Sequence, residues 1–75
     1  MSFEKIFAEV FTIPEHTVID SMKLKEIASW DSLAHMMLIT RLEEVYRIEF
    51  TGDDIADMTS VGEARSALRG HGAAL

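Results

Sequence analysis

An all-α fold is what the 75-residue sequence predicts: a small helical bundle of three main helices plus one short helix, with a long loop between the first and second helices. Three observations carry this prediction. Apolar residues recur at helical spacing in three separate segments, and no segment alternates apolar and polar residues as a half-buried strand would. Each helical segment is also preceded by Ser, Thr or Asp, the residues whose side chains satisfy the free N–H groups at a helix start.

In the first segment Phe3, Ile6, Phe7, Val10 and Phe11 follow the i, i+3, i+4, i+7, i+8 rule, Ser2 is the expected N-cap and Glu4 lies in the first turn, so a helix is expected over about 2–11. Pro14 disfavours helix at Ile13. From there to Asp31, Val18, Ile19, Met22, Leu24 and Ile27 are scattered among polar residues without a sustained period, which reads as a long ordered loop. Connections of this length are uncommon in a small domain and tend to be functional. The strongest helix is expected from Ser32 to about Tyr46, with Asp31 or Ser32 as N-cap. Ala34, Leu42 and Val45 fall within about 40° of Leu38 and with it form the expected core stripe, with Ile39 and Tyr46 on its flank. The opposite face carries Leu33, Met36, Met37, Thr40, Glu43, Glu44 and Arg47, apolar near the helix start and charged near its end. Thr51 caps a short helical turn through Ile55 and Met58, and Thr59 or Ser60 caps a last helix holding Val61, Ala64, Arg65 and Leu68, with Ser60 and Glu63 as a capping box. Arg69 to Leu75 reads as a frayed, flexible tail of a single domain spanning 1–75.

Composition limits what such a bundle does. Seven Lys plus Arg against thirteen Asp plus Glu give 7 − 13 = −6, and so acidic a chain repels phosphate backbones and anionic membranes. Nucleic-acid binding is therefore not expected, and a charged partner should be basic. The absence of Cys excludes a disulfide, a thiolate nucleophile and a Cys-type zinc site. A domain of this size buries roughly 60% of its unfolded surface, which commits most apolar residues to packing and leaves little room for a deep private active site. The N-terminal residues lack the pattern of a signal peptide, and no stretch approaches the roughly 20 apolar residues of a membrane span. A cytoplasmic monomer without membrane insertion is expected.

Asp31-Ser32-Leu33 stands where the long loop enters the strongest helix. Taken alone, the pair Asp31 and Ser32 reads as helix caps. Its setting adds a second reading: Leu33, Met36 and Met37 follow on the outward side, which a helix with a purely solvated outer face would not carry, and an exposed hydroxyl beside an apolar docking face is a candidate attachment point. His35, three residues after Ser32, is rejected as its general base because no orienting acid or oxyanion donors converge there. Asp53, Asp54 and Asp57 lack the spacing of a calcium loop and read as helix-start charges.

The run S-W-D-S-L-A-H-M-M-L-I-T-R-L-E-E-V-Y-R-I-E-F, Ser29 to Phe50, resembles the second-helix signature of acyl carrier proteins, the phosphopantetheine-dependent carrier superfamily. The resemblance covers nearly the whole chain. It takes in the first amphipathic helix, the long loop, D-S-L, L-x-x-x-L-E-E at Leu38 to Glu44, Phe50, the acidic Asp53-Asp54 and T-S-V at Thr59 to Val61. It implies an acyl-carrier-like bundle that is not an enzyme, in which a phosphopantetheinyl transferase attaches 4'-phosphopantetheine to Ser32 through a phosphodiester. The terminal thiol then carries an acyl or aminoacyl group as a thioester. By the same resemblance Asp31 takes part in recognition by the transferase and its magnesium. Leu33, Met36, Met37, Glu43 and Glu44 meet the partner enzymes, which are a loading ligase, a ketosynthase or an acyltransferase of fatty acid, polyketide or related biosynthesis.

The sequence departs from the fatty-acid-synthesis type at Trp30, where glycine is usual, and at Ala34 and Met37, where acids are usual. Less negative charge around Ser32 shifts docking from electrostatic steering toward apolar contact. A specialised carrier is therefore expected rather than the housekeeping one, and the Trp-Asp-Ser-Leu form is also similar to some aminoacyl, peptidyl and D-alanyl carriers. Trp30 itself has two readings, a loop residue covering the bundle end or a contact with the arm or a partner. The alternative from another class is a small acidic interaction module without a prosthetic group, in which Ser32 only caps and the Leu33, Met36, Met37 face binds a partner groove.

Overall fold

The computed structural model describes residues 2–75, and these form four α-helices with no strand among them. The first helix, α1 (Phe3–Phe11), starts where Ser2 Oγ accepts a hydrogen bond from the Lys5 amide at 3.2 Å. It ends at Thr12, whose left-handed backbone (φ 55°) turns the chain away two residues before Pro14 would break the helix. Phe3, Phe7 and Phe11 form the spine of the core, with ring centroids 4.9 and 6.3 Å apart along the helix.

The long loop is ordered by two single 3₁₀ turns, Glu15–Thr17 and Leu24–Glu26, and buries Val18, Leu24 and Ile27 in the core. Three backbone hydrogen bonds tie it to the start of the last helix, α4 (Val61–Gly70). Leu24 N–H donates to Thr59 O at 3.0 Å, Val61 N–H to Met22 O at 3.0 Å and Gly62 N–H to Asp20 O at 2.9 Å. Gly62 is required for this approach, since a Cβ at that position would lie 3.0 Å from the Asp20 carbonyl oxygen.

The central helix, α2 (Ser32–Tyr46), has the expected bounds but not the expected face. Leu38, Ile39 and Leu42 are its buried residues, Ala34 and Tyr46 are half-buried, and Val45, expected in the stripe, is 38% exposed. The buried face is turned toward Ile39 and Tyr46 by about half of the 100° step between residues. Apolar side chains surround most of this helix, so periodicity alone leaves the centre of its stripe loosely defined. The centre is set by neighbours, among them α1, which Glu9 links to Arg41 at 3.1 Å.

A short helix, α3 (Gly52–Asp57), opens with a full capping box: Asp54 N–H donates to Thr51 Oγ1 at 3.1 Å and Thr51 N–H to Asp54 Oδ2 at 3.0 Å. Met58, expected within this turn, is instead the buried residue just after it. At α4 Ser60 is the cap, but only half of the expected box forms, because the Glu63 carboxylate accepts from the hydroxyls of Thr59 and Ser60. The helix also runs through Arg69 and Gly70, two residues into the expected tail. Beyond it the His71 ring stands edge-on to Phe50 at 5.8 Å, with Nε2 2.7 Å from Asp54 Oδ2.

Arg65 ties three elements together. It donates from Nη2 to Glu4 at 2.8 Å and from Nε to Asp20 at 3.0 Å, and its guanidinium lies 4.4 Å from the centre of the Phe3 ring. The Arg65 hydrogen bond, reinforced by a backbone hydrogen bond, holds the Glu4 carboxyl below its ordinary value of 4.5. A carboxyl depressed on folding binds fewer protons folded than unfolded, so its stabilisation is present above the unfolded value and lost as pH falls through the folded one. Urea midpoints measured from pH 6 downward are therefore expected to fall most steeply below the ordinary carboxylate range. Arg65→Met should flatten part of that slope, modestly because the pair is partly solvated. An unchanged slope would exclude Arg65 as its source.

Candidate functional site

The junction of the loop and α2 divides its work between two adjacent residues. Asp31, in extended backbone, is the N-cap: its Oδ1 accepts from the Ala34 amide at 2.7 Å and its carbonyl from the His35 amide at 2.9 Å. Ser32 is thereby released from capping. It is the first helical residue and exposed, and its hydroxyl has no intramolecular hydrogen bond among the described residues. The amides of Ser32 and Leu33 likewise have no backbone partner there, as expected of the first turn of a helix. The result is an exposed hydroxyl beside two free N–H donors at the positive end of a 15-residue helix.

Next to it lies an apolar patch. Leu33 is 72% exposed, Met36 48% and Met37 50%, so none of the three belongs to the core. Glu44, further along α2, is exposed, whereas Glu43 is half-buried and its Oε2 accepts from the Phe50 amide at 2.8 Å. Glu43 thus anchors the link from α2 to α3, and Glu44 is the freer of the two carboxylates.

Trp30 and His35 form an arrangement the sequence did not disclose. The indole Nε1–H of Trp30 donates to His35 Nδ1 at 3.3 Å, the rings meeting edge-on at 6.0 Å, and His35 Nε2 lies 3.3 Å from the Ile55 carbonyl oxygen. Because Trp30 supplies a proton and the carbonyl can only accept one, the consistent tautomer is neutral with the proton on Nε2. Nδ1 therefore ties the start of α2 to the loop and Nε2 ties it to α3, and neither nitrogen serves Ser32 as a base. The only sequence signal was the five-residue spacing of a tryptophan and a histidine across a helix start. Lys25 Nζ stands 6.0 Å from the Trp30 ring centre.

Two cavities open near this end of the bundle. One, of about 270 Å³, lies between the loop, α2 and α3 and is lined by Leu24, Lys25, Trp30, His35, Ile55 and Met58 among others. The other, of about 490 Å³, is a groove in the long loop lined mainly by Ile13, Pro14, Ile19, Met22, Ile27 and Ala28. Among the described residues no helix is long and apolar enough to cross a membrane.

No protein-family model and no curated protein matches the chain. Among solved structures it is similar to the holo acyl carrier protein of Geobacter metallireducens, determined by solution NMR. The two share 29% sequence identity over 92% of this chain and 79% of that one, with a TM-score of 0.82.

Proposed function

We propose, for a chain that is a carrier of the acyl carrier protein superfamily and not an enzyme, that its cargo rides as a thioester on 4'-phosphopantetheine attached to Ser32. The observation that carries this reading is the division of labour at the α2 start. Asp31 alone holds the cap, leaving the Ser32 hydroxyl exposed and unbonded and the Ser32 and Leu33 amides free. Those residues fit the group: a phosphodiester on Ser32 Oγ places an anion beside free N–H donors and the positive helix end, an arrangement worth about 0.3–1 kcal/mol at an exposed site. The prosthetic group supplies the thiol that this cysteine-free chain lacks. The holo state of the similar carrier supports the same assignment.

In this reading Asp31 both caps α2 and meets the transferase and its magnesium. Leu33, Met36 and Met37 are the contact surface for the enzymes that load and unload the arm. Methionine suits such a surface because it repacks against different partners. Glu44, with Glu43 behind it, faces basic partner residues, and Trp30 shapes the approach to the arm. The reduced charge around Ser32 favours a specialised acyl or aminoacyl carrier, monomeric and cytoplasmic, served by a dedicated ligase, ketosynthase or acyltransferase.

Intact-protein mass spectrometry after incubation with coenzyme A, magnesium and a broad-specificity phosphopantetheinyl transferase tests the reading, with a single phosphopantetheine adduct as the expected result. A well-folded chain that gains no mass would overturn it. The two roles of Asp31 separate in the same assay. Asp31→Asn keeps a good cap, so its melting temperature should stay near wild type while loading slows, whereas Asp31→Ala should also lose about 0.5–2 kcal/mol of stability. Equal loading of Asp31→Asn and wild type would leave Asp31 as a cap alone. Leu33→Asp, at a site exposed enough to leave stability within about 0.5 kcal/mol, is expected to slow transfer to a partner enzyme about tenfold, equivalent to ~1.4 kcal/mol. Unchanged transfer would place the docking surface elsewhere.

A further inference from the structure

Core packing holds most of this chain but not the stretch that carries Ser32. From Ala28 to Met37 no residue is buried, and Trp30, Ala34 and His35 are only half-buried, so the loop end and the first turns of α2 run without a core anchor between Ile27 and Leu38. The short helix α3 is in the same position. None of its residues is buried, and the core takes up only Phe50 before it and Met58 after it. A helix of six residues is shorter than the roughly 12–15 below which isolated helices are marginal in water, so its place depends on what holds it from outside.

Hydrogen bonds take the place of packing in both segments. Ser29 Oγ donates to the Phe11 carbonyl oxygen at 2.6 Å and fixes the loop end on α1. Trp30 and His35 then bracket Ser32 along the chain: the indole Nε1–H donates to His35 Nδ1, and His35 Nε2 faces the Ile55 carbonyl oxygen, each at 3.3 Å. One imidazole thus links the loop, the start of α2 and the middle of α3. The three groups match in kind, because an indole N–H only donates, a carbonyl only accepts, and a neutral imidazole offers one acceptor and one donor.

We propose that Trp30 and His35 are positioning residues for the reaction at Ser32: their mutual hydrogen bond and the His35–Ile55 bond hold the Ser32 turn and α3 as one surface for the phosphopantetheinyl transferase. The assignment rests on the reading of Ser32 as the attachment site. Neither residue is catalytic, since both nitrogens of His35 are taken and the indole has no proton acceptor to offer. Without the pin the Ser32 turn and α3 move independently in the free protein, and the transferase has to order them as it binds. That cost falls on association and not on the bound complex, so its signature is a raised KM with kcat close to wild type.

The test sets the loading kinetics of the whole protein, with coenzyme A, magnesium and a broad-specificity transferase, beside the indole N–H resonance of Trp30, which is unambiguous because the chain has one Trp. In His35→Phe, which keeps a ring and loses both bonds, the indole resonance should move upfield and KM should rise about tenfold, equivalent to ~1.4 kcal/mol, with kcat within about twofold of wild type. His35→Gln supplies an amide oxygen to accept from Trp30 and an amide N–H to donate to Ile55, and should bring the resonance and KM back to near wild type. Trp30→Phe removes the donor from the loop side and should raise KM in the same way, which decides the question if circular dichroism shows His35→Phe unfolded. A wild-type KM in a folded His35→Phe or Trp30→Phe would overturn the positioning role while leaving the carrier reading intact. So would a His35→Gln that regains the wild-type resonance but keeps the raised KM. Failure of the wild type to load at all would overturn both.

Discussion

Ser32→Ala is expected to abolish phosphopantetheine loading completely, leaving the intact mass unchanged under conditions that convert all of the wild type. The effect is all-or-none because the hydroxyl is the atom that forms the phosphodiester. Folding should be untouched. The Asp31 carboxylate, not Ser32, accepts the capping hydrogen bond, Ser32 is exposed, and alanine is a better helix former than serine. Stability should stay within about 0.5 kcal/mol of wild type, which makes the variant a clean control for docking experiments. An adduct persisting on Ser32→Ala would move the attachment to another residue and return Ser32 to the helix start as an ordinary side chain.

Phe7→Ala is expected to unfold most of the population. Phe7 is fully buried between Phe3 and Phe11, and truncating such a ring costs about 3–5 kcal/mol in lost burial and residual cavity. A core of this size rarely supplies more than about 3–5 kcal/mol, so the loss consumes nearly all of the stability. Far-UV circular dichroism at 25 °C should show most helical signal gone, and Phe7→Leu, which keeps much of the volume, should retain a cooperative transition at a lower urea midpoint. A wild-type midpoint for Phe7→Ala would mean that the bundle is not organised around the three rings of α1. Unlike Ser32→Ala, this variant should fail in loading because it lacks a folded site, a distinction the same spectrum makes.

Much of the fold was legible because its signals are local. The spacing of Phe3, Ile6, Phe7 and Phe11 with Ser2 in front of them, and the Thr51 and Ser60 caps, each depend on residues a few positions apart. The face of α2 was only partly legible: Val45 proved exposed and Ile39 buried, because a helix ringed by apolar residues takes its orientation from what docks on it. The outward placement of Leu33, Met36 and Met37 was legible from the same helix, since they follow a polar junction and lie opposite Leu38 and Leu42. The Trp30–His35–Ile55 pin was not, because it joins three elements through single hydrogen bonds and leaves no periodic trace.

By itself the sequence determined the helices, their caps, the acidic balance, the absence of any thiol and the Asp31-Ser32-Leu33 junction, since all of these follow from composition or from near neighbours along the chain. Only the tertiary structure decided that Asp31 takes the cap and frees Ser32, that the loop is bonded to the start of α4, and that Glu43 holds Phe50 while Glu44 faces outward. It also decided that a mainly apolar groove of about 490 Å³ lies in the loop. The physical reason is the same in each case. A side chain chooses among several nearby hydrogen-bond partners or packing surfaces by geometry between distant segments, and that geometry exists only once the bundle has closed.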